Sequence, residues 1–253
     1  MNFKNIYYPE SRISGFTDVD GTIAFYSHVN GLIKPGSIVL DIGCGRGAYQ
    51  GDPIPFRKNL RVLKGKCEKI IGIDIDLNAA ENPFLNEFRQ ITSSTWPIEN
   101  ESIDLCICDY VLEHIADPGN FFIQIDRILK PGGIVCIRTS NILSYVGLFS
   151  KTSWPGSHLQ ILRKVKENLS ESDIFPTFYK CNTVRKIQKQ FDRLNFNHTV
   201  FGYEAEPGYL AFSRFAYFLG VLHQRHAPSL FKVGIHAFGV KPFLPISGDL
   251  TNK

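Results

Sequence analysis

The stretch Val39-Leu-Asp-Ile-Gly-Cys-Gly-Arg-Gly-Ala-Tyr49 constrains this chain more than any other. The apolar run 38–42 reads as a buried strand, and it passes directly into three glycines at alternate positions, Gly43, Gly45 and Gly47. Such a loop brings backbone close to a nucleotide-like ligand with no Cβ in the way. On spacing alone, Gly43-x-Gly45-x-x-Ala48 also fits the loose dinucleotide-binding pattern, so the loop by itself selects no cofactor. Two acids narrow the choice. Asp41, two residues before the first glycine, suits a ligand carrying an ammonium group and is unhelpful beside a pyrophosphate. A second buried run, 69–74, ends in Asp74, placed to accept hydrogen bonds from both hydroxyls of a ribose.

The pattern continues as alternating strands and helices. Strands are predicted over 88–91, 104–109 and 134–138. A basic helix is predicted over 55–66, and another after Asp117 and Pro118 that stops at Lys130-Pro-Gly-Gly. Farther on, a helix capped by Asn182 runs to about Asn195, and 198–203 and 232–240 read as the last two strands. This order predicts an α/β fold with a seven-stranded, mostly parallel sheet and helices on both faces. The stretches 142–181 and 205–230 do not fit the plain alternation. They read as insertions after strand 5 and between strands 6 and 7. With 43 % hydrophobic residues, the 253-residue chain has material for one domain over 1–253.

Composition excludes several classes. The six cysteines form no C-x-x-C pair, so no metal site is expected; Cys106 and Cys108 share a strand face and read as small buried groups. A net charge of +4 is too mild to point to nucleic acid. No stretch is long and apolar enough to span a bilayer, and the N-terminus lacks the apolar core of a signal peptide, so a cytoplasmic location is expected. The oligomeric state is left open.

Four blocks in register, Asp41-Ile-Gly-Cys-Gly-Arg-Gly47, Ile71-Gly-Ile-Asp74, Ser102-Ile-Asp-Leu105 followed by Leu112-Glu-His114, and Arg127-Ile-Leu-Lys-Pro-Gly-Gly133, carry a specific resemblance. The chain resembles class I S-adenosylmethionine-dependent methyltransferases, most nearly the branch that includes quinone-biosynthesis methyltransferases. The resemblance implies a Rossmann-like core at 37–141 that binds S-adenosylmethionine, under an N-terminal cap segment at 1–36. It implies that Asp41, Gly43, Cys44, Gly45 and Gly47 hold the methionine moiety. Asp74 then holds the ribose, Ile75 flanks the adenine, and Asp109 and Tyr110 lie beside the methionine end. The cap helix, expected over 22–33, would bring Phe16 or Tyr26 near the sulfonium, where an aromatic face stabilises the cation. Two features depart from the family pattern. The loop Thr92-Ser-Ser-Thr-Trp-Pro97 carries no acid for the adenine amino group, leaving backbone, a hydroxyl or stacking on Trp96. Gly51, Pro53 and Pro55 delay the helix that normally follows the glycine loop.

The function expected is methyl transfer to a small-molecule or glycan-type acceptor, by in-line displacement driven by positioning. The alternative is a non-catalytic S-adenosylmethionine-binding sensor or partner protein. Residues 142–181 and 205–230 are expected on the acceptor side, with His158 as a proton acceptor and Tyr110 at the reacting end. Other features have plainer readings. Asp18-Val-Asp-Gly-Thr22 matches a phosphatase motif, but no strand precedes it, so it reads as a turn into a helix. Glu113-His114 reads as packing before acid–base chemistry. The run Arg57, Lys58, Arg61, Lys64, Lys66 and Lys69 reads as a solvated face. The apolar stretch 209–222 reads as a lid over the active site, with peripheral membrane contact as the second reading.

Overall fold

The structure, a computed structural model, describes residues 3–152 and 176–243. Two single-turn helices, α1 (Lys4–Tyr7) and α2 (Ser11–Ser14), lead to α3 (Gly21–Leu32). Asp20 starts α3 by accepting hydrogen bonds from the Thr22 and Ile23 amides, both at 2.9 Å. The second acid of the phosphatase-like motif is therefore a helix cap.

The core follows in the order β1 (Ile38–Ile42), α4 (Pro55–Arg61), β2 (Lys69–Asp74), β3 (Glu87–Gln90), β4 (Ile103–Asp109), α5 (Pro118–Ile128) and β5 (Leu129–Ser140). Then come α6 (Tyr145–Thr152), α7 (Val184–Arg193), β6 (Asn197–Tyr203), α8 (Arg214–His226) and β7 (Gly234–Val240). The seven strands lie in the order β3-β2-β1-β4-β5-β7-β6, with β7 antiparallel to both its neighbours and the other pairs parallel. The expected sheet is thus present. Its strand order reverses between β1 and β4, where open α/β sheets leave a crevice beyond the strand ends.

Both faces of the sheet are covered. Cys106 and Cys108 join one apolar cluster with α5 and α7, while Leu105 and Ile107, one residue out of phase, join the other with α3. Asp117 and Pro118 start α5 as expected, with the Asn120 amide on the Asp117 carboxylate at 3.1 Å.

Three boundaries differ from the sequence reading. Helix α4 ends at Arg61, because the chain turns there to form the Lys64–Cys67 bridge. Lys130-Pro-Gly-Gly does more than stop α5, since β5 already starts at Leu129, which pairs with Ile103 across a register shift. Thr183, not Asn182, caps α7, because the Asn182 amide is bound to Thr139 Oγ1 at 2.7 Å and Ser140 O at 3.1 Å.

Candidate functional site

The glycine loop folds over the end of β2. The Gly43 and Cys44 amides donate to Ile73 O at 2.8 and 3.3 Å. Gly43 has φ +65°, and a Cβ there would lie 2.4 Å from Val111 Cγ2, so backbone geometry and packing both require glycine. Gly45 has φ +52° but faces open space, on the side a ligand would occupy. Its amide donates to Asp74 Oδ2 at 3.0 Å, and buried Asn82 donates to Cys44 O and Gly45 O at 3.1 and 3.0 Å. The loop thus walls a cavity of about 500 Å³ lined also by Tyr26, Asp41, Tyr49, Arg61 and Asp109.

Two of the three acids on this cavity, Asp41 and Asp109, are held differently. Asp41 accepts no hydrogen bond from any described residue. Burial, reinforced by the nearby Asp109 carboxylate and opposed by Arg61, pushes it up to about 7. Its carboxylate opens on the cavity with no donor from the described residues, so a donor group on a ligand can reach it. Asp109 already has three donors. Arg138 grips it from two nitrogens at 2.6 and 2.7 Å, and Tyr26 Oη donates to it at 3.1 Å. Burial alone would raise the Asp109 carboxyl, but the Arg138 charge outweighs it and holds it below the ordinary range. Arg138 also donates to Thr22 Oγ1 at 3.0 Å, which ties α3 to the sheet over the cavity.

The structure brings most of the expected cofactor residues together. Asp41, Gly43, Cys44, Gly45, Gly47 and Asp109 line one cavity, with Tyr26 of the cap helix. Asp74 stands behind the loop, each oxygen holding one backbone amide, Gly45 on Oδ2 and Asp76 on Oδ1. Each oxygen keeps a second lone pair. Ile75 follows at the strand end, 60 % exposed.

Others lie elsewhere. Trp96 is buried edge-on against Phe121 in the core under α5, so its ring offers no stacking face, and that reading is corrected. Phe16 stacks on Phe56 and does not line the cavity. Glu113 is buried and accepts from Thr139 Oγ1 at 2.7 Å and Ser140 Oγ at 3.2 Å, while His114 Nδ1 meets Pro176 O, contacts that fit the packing reading. His158 lies outside the described residues.

The basic run is also corrected in part. Arg57 is bound to Asp52 and Asp20, and Arg61 lies over the Tyr49 ring at 4.3 Å, so both face the cavity. Arg138 was missed, although its signal was present. A lone arginine ending the apolar run Ile134-Val-Cys-Ile-Arg138 needs an acid, and Asp109 is its register mate on β4.

Outside the residues that line this cavity, toward β5, β7 and β6, a second cluster of polar and aromatic groups gathers. Tyr110 has φ +57°, a strained conformation for a non-glycine residue, and its ring lies 4.8 Å from the Arg138 guanidinium. Although the side chain is 48 % exposed, desolvation around its hydroxyl pushes it up to about 12. Tyr209 lies near enough to Tyr110, Tyr145 and Tyr179 to raise their hydroxyls further. Beside them Glu204, buried just past β6, lies 2.8 Å from His223 Nδ1 on α8, and Tyr145 meets that imidazole edge-on. Among the described residues no group of three or more His, Cys, Asp and Glu side chains is arranged to hold a metal ion.

Comparison with known proteins converges on one family. The methyltransferase domain family matches residues 17–199. A ubiquinone biosynthesis O-methyltransferase from Pseudomonas fluorescens is 30 % identical over 115 residues, 42 % of this chain and 45 % of the relative. The chain spans less than half the length of that relative. Among solved structures, a SAM-dependent methyltransferase from Archaeoglobus fulgidus superposes with TM-score 0.54 at 16 % identity, covering 92 % of this chain and 97 % of that one. A Haemonchus contortus N-methyltransferase, solved with S-adenosylhomocysteine, gives TM-score 0.54 at 16 % identity over 87 % of this chain and 52 % of its own. At those identities the structural likeness speaks for the fold.

Proposed function

We propose, for a chain that belongs to the methyltransferase domain family, that it binds S-adenosylmethionine at the glycine loop and transfers its methyl group to a small-molecule or glycan-type acceptor. The observation that carries the reading is Asp41. It is a half-buried carboxylate with no hydrogen-bond donor among the described residues, on the wall of a cavity whose floor is glycine backbone. An amino-acid ammonium group supplies the donors it lacks, which is the donor set expected of the methionine end.

When bound, S-adenosylmethionine supplies a methyl group activated by its sulfonium. The chain's residues supply position and charge. Asp41 takes the ammonium, and the open side of Gly45 admits the ligand against backbone. Asp74 offers its free lone pairs to the ribose hydroxyls while its other bonds keep the loop in shape. Ile75 lies against the adenine. Tyr26 turns its ring toward the cavity and keeps its hydroxyl on Asp109. Tyr110 and the tyrosines around it line the acceptor side, an apolar wall with hydroxyl groups that suits a ring-bearing acceptor. His158 is the proposed proton acceptor for a hydroxyl or amine nucleophile.

The test is a thermal-shift titration with S-adenosylhomocysteine, S-adenosylmethionine and NAD. At a hundred times its dissociation constant, either sulfur ligand stabilises the fold by about 2.7 kcal/mol. A shift with NAD and none with the other two would sink the reading. The acceptor then follows from a panel of phenols, amines and sugars with methyl-labelled S-adenosylmethionine.

A further inference from the structure

Helix α8 is apolar on two opposite faces, and only one of them is fully packed; on the other, Phe218 alone reaches a ring of the N-terminal segment, Tyr7. Tyr217, Gly220, Val221 and Gln224 turn inward, where Tyr217 and Val221 meet Tyr8 and the N-terminal helices. On the other side Phe215, Phe218, Leu219 and Leu222 sit at i, i+3, i+4 and i+7, one stripe of the helix, and they are 69, 39, 47 and 40 % exposed. Phe212, just before the Ser213 cap, adds a ring that is 80 % exposed. The sequence expectation of a lid buried on all sides is therefore corrected for this outer stripe.

Charge says what covers it. From Pro207 to Val233 the chain contains no Asp or Glu, but it contains Arg214, Arg225 and Lys232 together with His223 and His226. Arg214 and Arg225 are exposed and fall on one flank of the stripe. The nearest acids in sequence are turned inward, Glu204 on His223 and Glu206 on Thr17 and Lys4. A stripe of phenylalanine and leucine on a segment whose own charges are all cationic matches a helix lying in the headgroup layer of an anionic bilayer, with its apolar stripe in the acyl boundary. The helix spans 13 residues, so it lies on a membrane and does not cross it.

We propose that the outer face of α8, with Phe212, docks this protein on membranes rich in anionic phospholipid. The docking is independent of the cofactor reading, because none of these side chains lines the glycine-loop cavity.

The test is co-sedimentation of the full chain with two sets of vesicles, phosphatidylglycerol mixed with phosphatidylethanolamine, and phosphatidylcholine alone. The expected result is binding to the first set that weakens as salt rises, with little binding to the second. Phe215→Ser and Leu219→Ser each lower the partition coefficient by roughly tenfold, since each removes an apolar side chain from the bilayer. Because both side chains are already exposed, the melting temperature and the S-adenosylhomocysteine shift stay as they were. Phe212→Ser, outside the helix, serves as an independent variant. Arg214→Gln with Arg225→Gln reduces the preference for the anionic vesicles. Binding to neither set, or binding indifferent to these substitutions, overturns the proposal. So does a dimer in gel filtration that Phe215→Ser converts to monomer, which would assign the face to a second copy of the chain.

Discussion

Asp41 titrates where a cofactor site can use it. Its carboxyl is raised to about 7 by burial first and Asp109 second, above the carboxylate range of an unfolded chain. The protonated form is the one folding favours. Its contribution to stability is therefore present at low pH and lost as pH rises through about 7. An ammonium ligand inverts this, because it binds the ionised form. The thermal shift caused by S-adenosylhomocysteine should grow between about pH 6 and pH 8 as Asp41 ionises. Asp41→Asn should abolish most of that shift and remove its pH dependence, while raising the melting temperature of the ligand-free protein above neutral pH. An unchanged shift in the variant would release Asp41 from the site. Asp74 is read differently, because it already holds the Gly45 and Asp76 amides. Asp74→Ala should weaken the cofactor by roughly 1.5–3 kcal/mol for each charge-assisted bond lost to the ribose, and isothermal titration calorimetry measures it. Some loss of melting temperature accompanies it, since the same carboxylate shapes the loop.

Helix α3 is fastened over the cavity by charge as much as by packing. Arg138 joins Thr22 of α3 to Asp109 of β4 from its own place on β5, and Arg57 of α4 joins Asp20 to Asp52. Removing one member of a buried pair leaves the other uncompensated, so Arg138→Met should lower stability by about 3–5 kcal/mol. Adding Asp109→Asn to it should restore part of that loss. Denaturant unfolding of the two variants decides, and equal stabilities would show that Asp109 tolerates exposure to water. The strands and the α5 cap were legible because they follow from local rules, whereas Asn182, drawn to Thr139 and Ser140, left its expected cap to Thr183. The runs 38–42 and 104–109 are buried on both faces and so read as continuous apolar stretches, and Asp117-Pro118 carries a helix start in two residues. The roles of Arg57 and Arg61 were not legible. Spaced by four on one helix, they look like a solvated stripe, and the partners that turn them inward lie on Asp20, Asp52 and Tyr49, set by tertiary packing. Trp96 was misread for the same reason. A loop aromatic near the adenine end and one filling the core under α5 look alike in sequence, and Phe121 decides between them.

Across the whole molecule the sheet order separates two duties. The glycine loop, Asp41 and Asp74 belong to β1 and β2, whereas Tyr145 and Tyr179 follow β5, and Glu204, Tyr209 and His223 lie between β6 and β7. Asp109 and Tyr110, at the end of β4, sit at the seam. Substitutions in the second half should therefore change turnover and leave cofactor affinity alone, a division the insertions 142–181 and 205–230 already implied. Its sharpest case compares two histidines. His158→Ala should cut turnover of an acceptor found in the panel by roughly a hundred-fold, the contribution of a positioned base, with S-adenosylhomocysteine affinity and melting temperature unchanged. His223→Ala should behave otherwise, because it strips the partner from the buried Glu204 carboxylate, so it loses stability together with turnover. His223→Ala with Glu204→Gln should then recover the stability. The pattern has a clear reverse. Full turnover in His158→Ala, with lost turnover at an unchanged melting temperature in His223→Ala, would move the base to His223. Its Nδ1 is held on Glu204 and its other ring nitrogen is left for the acceptor, the orientation that a carboxylate imposes on a catalytic imidazole.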